Sequence, residues 1–82
     1  MTARNNPQPI TVEAMPNYRL LLHFENDESK IFDVMPYIKG TWYSELSDPA
    51  YFKTVRISGG TVEWLHGQDL CPDELYEDSI PA

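Results

Sequence analysis

The segment Tyr18-Arg19-Leu20-Leu21-Leu22-His23-Phe24-Glu25 decides how the chain is read. Tyr18, Leu20, Leu22 and Phe24 recur every second residue, the period at which a β-strand returns side chains to one face. Arg19, His23 and Glu25 fall on the other face, with Leu21 as the exception among them. Before this segment, Ile10, Val12 and Ala14 alternate in the same way against Thr11 and Glu13, and Pro16-Asn17 supplies a turn. After it, Asn26-Asp27 stands where a two-residue hairpin turn needs φ > 0, and Ser29 to Val34 returns as a third strand. The expectation is a three-stranded antiparallel meander.

The pattern then changes. Met35-Pro36-Tyr37-Ile38-Lys39-Gly40, following Asp33, predicts a short helical turn stopped by Gly40. Asp48 reads as a helix N-cap and Pro49 as the first helical residue, whose missing N–H has no intrahelical partner at that position anyway. Leu46 and Phe52 flank this turn as anchors on the sheet. From Lys53 to Ser58 alternation resumes, and Gly59-Gly60 marks a second two-residue hairpin turn. Thr61 to Leu65 pairs back, with Val62 and Trp64 inward and Glu63 outward. His66-Gly67 breaks that strand, and Asp69 is placed to accept backbone N–H groups before the next helix. Pro72 opens a last short helix with Asp73 and Glu74 in its positively polarised first turn and Leu75 on the core. Residues 1–9, which hold Pro7 and Pro9, read as a flexible arm, and residues 10–80 as a single α+β domain.

Size and composition bound the function. A chain of 82 residues suffices for one domain. At this size it buries only about 60–65% of its unfolded surface, so a deep enclosed substrate cavity is not expected. With 41% hydrophobic and 23% charged residues the composition is that of a globular protein. Thirteen acidic residues against six basic ones give a formal charge of −7. The excess is concentrated beyond Thr41, where eight acids face two bases. A phosphate backbone is repelled by that half, so the domain alone is not expected to bind nucleic acid, whereas a basic protein suits it. The single cysteine, Cys71, has no intramolecular disulfide partner, and no apolar run approaches a membrane span. Both predict a cytoplasmic protein.

The order of motifs then carries a resemblance. A strand ending in Phe24 is followed by Phe32-Asp33-Val34, Gly40 and Leu46-Ser47-Asp48-Pro49-Ala50-Tyr51-Phe52. A hairpin then leads to Trp64, and Gly67, Asp69, Leu70, Pro72, Asp73, Leu75 and Tyr76 close the pattern. From Val12 to Tyr76 the chain resembles the small bacterial domain catalogued as domain of unknown function 2442. The resemblance implies a two-layer architecture of three strands, a helix, two strands and a helix. It implies no cofactor, metal or catalytic residue. Some relatives are joined to a helix-turn-helix domain, and many are encoded beside a small toxin-like partner, which implies an antitoxin-like role. Asn26-Asp27 departs from the commoner Asx-Gly turn of the family.

Each candidate chemistry is weighed against a structural role. His66, Asp69 and Asp73 sketch a ligand set, but at no recognised metal spacing, and turn stabilisation accounts for them better. Cys71 precedes a helix start, which lowers a thiol pKa, yet no oxyanion donor set accompanies it. Trp64, Gly67, Asp69 and Pro72 form a structural signature. Asp73, Glu74, Glu77 and Asp78, with Glu45, Asp48 and Glu63, form an acidic set able to dock a basic partner. Trp42 and Tyr43 are adjacent, so both cannot point inward from an extended segment, and one is left as an exposed anchor. The expected function is therefore a non-enzymatic protein-interaction module, antitoxin-like, with no cofactor. The alternative is an accessory or regulatory domain that self-associates and works with a DNA-binding protein.

Overall fold

Alternation in the first part of the chain produces an antiparallel sheet. The computed structural model describes residues 6–82 and places β1 at Pro9–Met15, β2 at Arg19–Phe24 and β3 at Ser29–Asp33. The register sets Val12 opposite Leu22, Ala14 opposite Leu20, and Leu20 opposite Phe32, so the apolar residues of three strands share one face. Leu20, Leu22, Phe24, Phe32 and Val34 are all fully or almost fully buried there. Each such side chain contributes about 1.5–3 kcal/mol relative to exposure.

Two features of the meander differ from expectation. The β2–β3 connection is a four-residue loop in which Asp27, but not Asn26, has positive φ (69°). Asn26 instead uses its side-chain oxygen to accept the Glu28 N–H at 3.2 Å, a local bond that favours the longer loop. The sheet also has a fourth strand, β6 (Ile80–Pro81), so the order is β1-β2-β3-β6. Ile80 pairs with Ile31, and the Ala82 N–H donates to the Ser29 carbonyl at 3.0 Å. A two-residue strand containing proline has no alternation by which a sequence could announce it.

Of the arm expected over 1–9, residues 1–5 lie outside the described residues. Pro9 already belongs to β1, and Gln8 both donates its N–H to the Glu25 carboxylate and accepts the Glu25 N–H, each at 3.0 Å.

The middle of the chain is a run of short turns. A 3-10 turn at Met35–Tyr37 is followed by α1 (Gly40–Tyr43), a second 3-10 turn at Ser44–Ser47, and α2 (Pro49–Phe52). Gly40, expected as a stop, opens α1 with φ +72°, a value that lets the chain reverse between two turns. Asp48 caps α2 as expected, accepting the Ala50 N–H at 3.0 Å, with Pro49 at the first helical position. The strand expected from Lys53 begins only at Arg56, because the Thr54 and Val55 N–H groups donate back to the Tyr51 and Phe52 carbonyls.

β4 (Arg56–Ser58) and β5 (Thr61–Glu63) form the second hairpin across Gly59-Gly60, whose φ values of 58° and 81° suit a two-residue turn. Trp64 lies just beyond β5 and is completely buried, donating its Nε1–H to the Phe52 carbonyl at 2.9 Å. Leu46, Phe52, Val62, Leu70 and Leu75 close the core around it. The final helix α3 (Pro72–Glu77) sets Tyr76 edge-on to Phe24, with ring centroids 5.1 Å apart. The architecture is thus the expected small α+β fold, extended by one strand. Among the described residues, no helix is long and apolar enough to cross a membrane.

Candidate functional site

The richest polar constellation lies where α1 and the following turn meet the segment after β5. Gly67 (φ +99°) bends the chain so that the Trp64 N–H donates to the Gln68 carbonyl at 2.8 Å. This reversal turns the Gln68 side chain inward, and the residue has no exposed surface. A buried amide requires partners, and Gln68 has three. Its Nε2 donates to the Trp42 carbonyl at 3.0 Å and to the Glu45 carboxylate at 2.8 Å. Its Oε1 accepts from the Tyr51 hydroxyl at 2.6 Å. That hydroxyl in turn accepts the His66 N–H at 2.8 Å. The His66 ring lies 2.9 Å from the Glu45 carboxylate and beside the Tyr51 ring, with centroids 5.1 Å apart. The His66 bond, followed by that from Gln68, holds the Glu45 carboxyl below the usual carboxylate range.

This knot fixes the neighbouring aromatics. Tyr43 turns towards the core and donates its hydroxyl to the Asp69 carbonyl at 3.0 Å, while Trp42 points outward and is 52% exposed. The adjacent pair thus splits, although both residues lie on α1 and not in the extended segment expected. Tyr37, Tyr43, Asp69, Cys71, Pro72 and Glu74 line a shallow cleft of about 410 Å³ between α1 and α3. The Tyr37 hydroxyl donates to Glu74 at 3.4 Å, and burial, then the Glu74 charge, push its phenol above the ordinary tyrosine range.

The acidic set is divided. Asp73, Glu74, Glu77 and Asp78 lie together on α3 and its C-terminal cap, with Asp73 and Glu77 each accepting from the Asn6 amide. Glu45 belongs to the knot, Asp48 caps α2, and Glu63 pairs with Arg56 at 3.4 Å. The last three carry structural work as well as charge. Among the described residues the Asp69 side chain accepts no backbone N–H: its backbone bridges Glu63 and accepts the Tyr43 hydroxyl, and the neighbouring Gln68 side chain ties the loop to α1 instead. Gln68 was missed because one polar residue in a loop carries no periodicity. Its position after the turn glycine was the only available signal. Cys71 is exposed, and its carbonyl accepts the Leu75 N–H at 3.0 Å. Among the described residues, no three His, Cys, Asp or Glu side chains are grouped to hold a metal.

These features define a small two-layer α+β domain whose second hairpin is locked by a buried glutamine beside an exposed tryptophan. Over residues 9–81 the chain matches the family described as Protein of unknown function (DUF2442), and it belongs to that family. No curated protein and no solved structure matches it.

Proposed function

We propose that the domain is a cytoplasmic, non-enzymatic binding module that neutralises a basic protein partner in an antitoxin-like manner. The contact surface runs from Trp42 across the shallow cleft to the acidic face of α3. The observation that carries this reading is the placement of Trp42. It is a large aromatic ring, half exposed, on a backbone whose carbonyl is held by a fully buried amide. An anchor whose backbone is held before binding loses less conformational freedom on complex formation, and aromatic anchors dominate many interfaces. Around it, Glu45 and the four acids of α3 and its C-terminal cap supply a negative field that speeds the approach of a basic partner. A binding role is further supported by the use of His66, Glu45 and Tyr51 in mutual bonds that fix the fold.

The test is affinity capture from the native cell with the tagged full chain, followed by a 1:1 mixture with any small basic protein recovered. A complex is expected whose association slows as salt screens the field over about 8 Å. Trp42→Ala should weaken it about tenfold or more through loss of the anchor. Absence of any salt-sensitive complex sinks the reading.

A further inference from the structure

The sheet face turned away from the core has a self-complementary pattern. Three cross-strand rows lie on it: Met15–Arg19–Asp33, Glu13–Leu21–Ile31–Ile80 and Thr11–His23–Ser29. Leu21, the apolar exception in its strand, therefore stands between Glu13 and Ile31 in the central row. Leu21, Ile31 and Met15 are half-buried and lie outside the core cluster, and Ile80 is 64% exposed. Among the described residues the core-forming elements pack on the opposite face, where Leu20, Leu22 and Phe32 are buried. The three rows together carry two of the thirteen acidic residues, Glu13 in the central row and Asp33 in an outer one, against Arg19. The strong negative charge of the chain thus lies mostly elsewhere. A second acidic copy meets its least repulsion here.

Arg19 and Asp33 are opposite each other in the register, yet no ion pair within 4.0 Å joins them among the described residues. The Arg19 Nε is buried and has no hydrogen-bond partner among the described residues. Asp33 uses one carboxylate oxygen to accept the Met35 N–H at 3.0 Å.

We infer that this face pairs with the same face of a second copy, forming a two-fold dimer by sheet-on-sheet packing. The axis lies in the interface, parallel to the strands and between β2 and β3. That rotation lays β2 of one copy over β3 of the other and keeps the rows in step. Leu21 then meets Ile31 of the second copy, and Arg19 meets Asp33 of the second copy, each contact occurring twice. Packed sheets keep their strands within about 30° of one another, which displaces the two central strands least. The polar rows flank an apolar centre, the arrangement expected of an interface core with its rim. This surface lies across the sheet from Trp42 and α3 and does not depend on the partner proposed for them.

The experiment is sedimentation equilibrium on the purified full chain, with far-UV circular dichroism confirming the fold of every variant. The unaltered chain is expected to convert reversibly from monomer to dimer, and Leu21→Lys to weaken that step by about tenfold or more. Arg19→Asp alone and Asp33→Arg alone should each be monomeric, since each pairs like charges twice across the axis. Mixed together, the two variants should form a heterodimer, because both cross-axis pairs are then complementary. A chain monomeric up to about 500 µM overturns the inference, as does a dimer indifferent to Leu21→Lys. Folded single variants that do not associate on mixing also overturn it.

Discussion

The β1–β3 meander and the segment from α1 through Gln68 are held by different physics. In the meander, Leu20, Leu22, Phe24 and Phe32 stack on one face, and each side chain adds burial roughly in proportion to its area. In the second region, Trp64, Gln68, Tyr51, Glu45 and His66 are joined by directed bonds in which one group serves several partners. Loss from an apolar stack is graded. Loss from a polar knot strands the remaining groups, whose desolvation is then uncompensated. The same protein therefore has a tolerant half and a brittle half, and the brittle half carries the exposed Trp42.

The largest expected effect is at the junction of the two. Trp64→Ala removes a fully buried indole and its bond to Phe52, and should cost about 3–5 kcal/mol. For a domain with a total stability of about 4–12 kcal/mol, urea denaturation should show a much reduced midpoint or a chain already largely unfolded. A loss of less than about 1 kcal/mol would show that Trp64 is not the keystone of the second hairpin.

A smaller change separates the two regimes. Gln68→Leu should destabilise by about 1–3 kcal/mol despite its similar size, because the Trp42 carbonyl loses its donor and the Tyr51 hydroxyl its acceptor. Combined with Tyr51→Phe, it should show a coupling of about 0.5 kcal/mol or more in a double-mutant cycle. Leu22→Ala and Val62→Ala, by contrast, are expected to show mainly additive losses of packing. Equal additivity in both regions would remove the distinction drawn between them.

The smallest effect is in acid. Glu45 is held below its ordinary pKa by His66 first and Gln68 second, so its carboxylate favours the folded state above the usual carboxylate range. That contribution is lost as pH falls through the depressed folded value. Trp42 and Tyr51 resonances should therefore shift as pH falls below the usual carboxylate range, before global unfolding, and Glu45→Gln should abolish the step. A transition unchanged in Glu45→Gln would assign it to another carboxylate.

Much of the fold was legible because period-two alternation is a local property. Leu20, Leu22 and Phe24 report the buried face whatever they are buried against, and Asp48-Pro49 and Gly59-Gly60 state their cap and turn through backbone chemistry alone. The acidic candidates were legible only as charge. Their geometry showed that Glu45, Asp48 and Glu63 hold the fold together, while the α3 acids form one group. The strand starting at Arg56 instead of Lys53 was lost to competition, because the end of α2 claimed two N–H groups that alternation had assigned to a strand.

By itself the sequence determined the layered α+β class, the buried stripe of β2, the cap of α2, the burial of Trp64 and the family. Those depend on neighbours in the chain, whose spacing is fixed by covalent geometry. Tertiary structure alone decided that Ile80 joins β3, that Gln68 ties Trp42 to Tyr51, and that Leu21 lines up with Ile31 on the face turned away from the core. Each of these joins residues distant in sequence or selects one face of a strand. Contacts of that kind exist only once the whole chain has closed around its core.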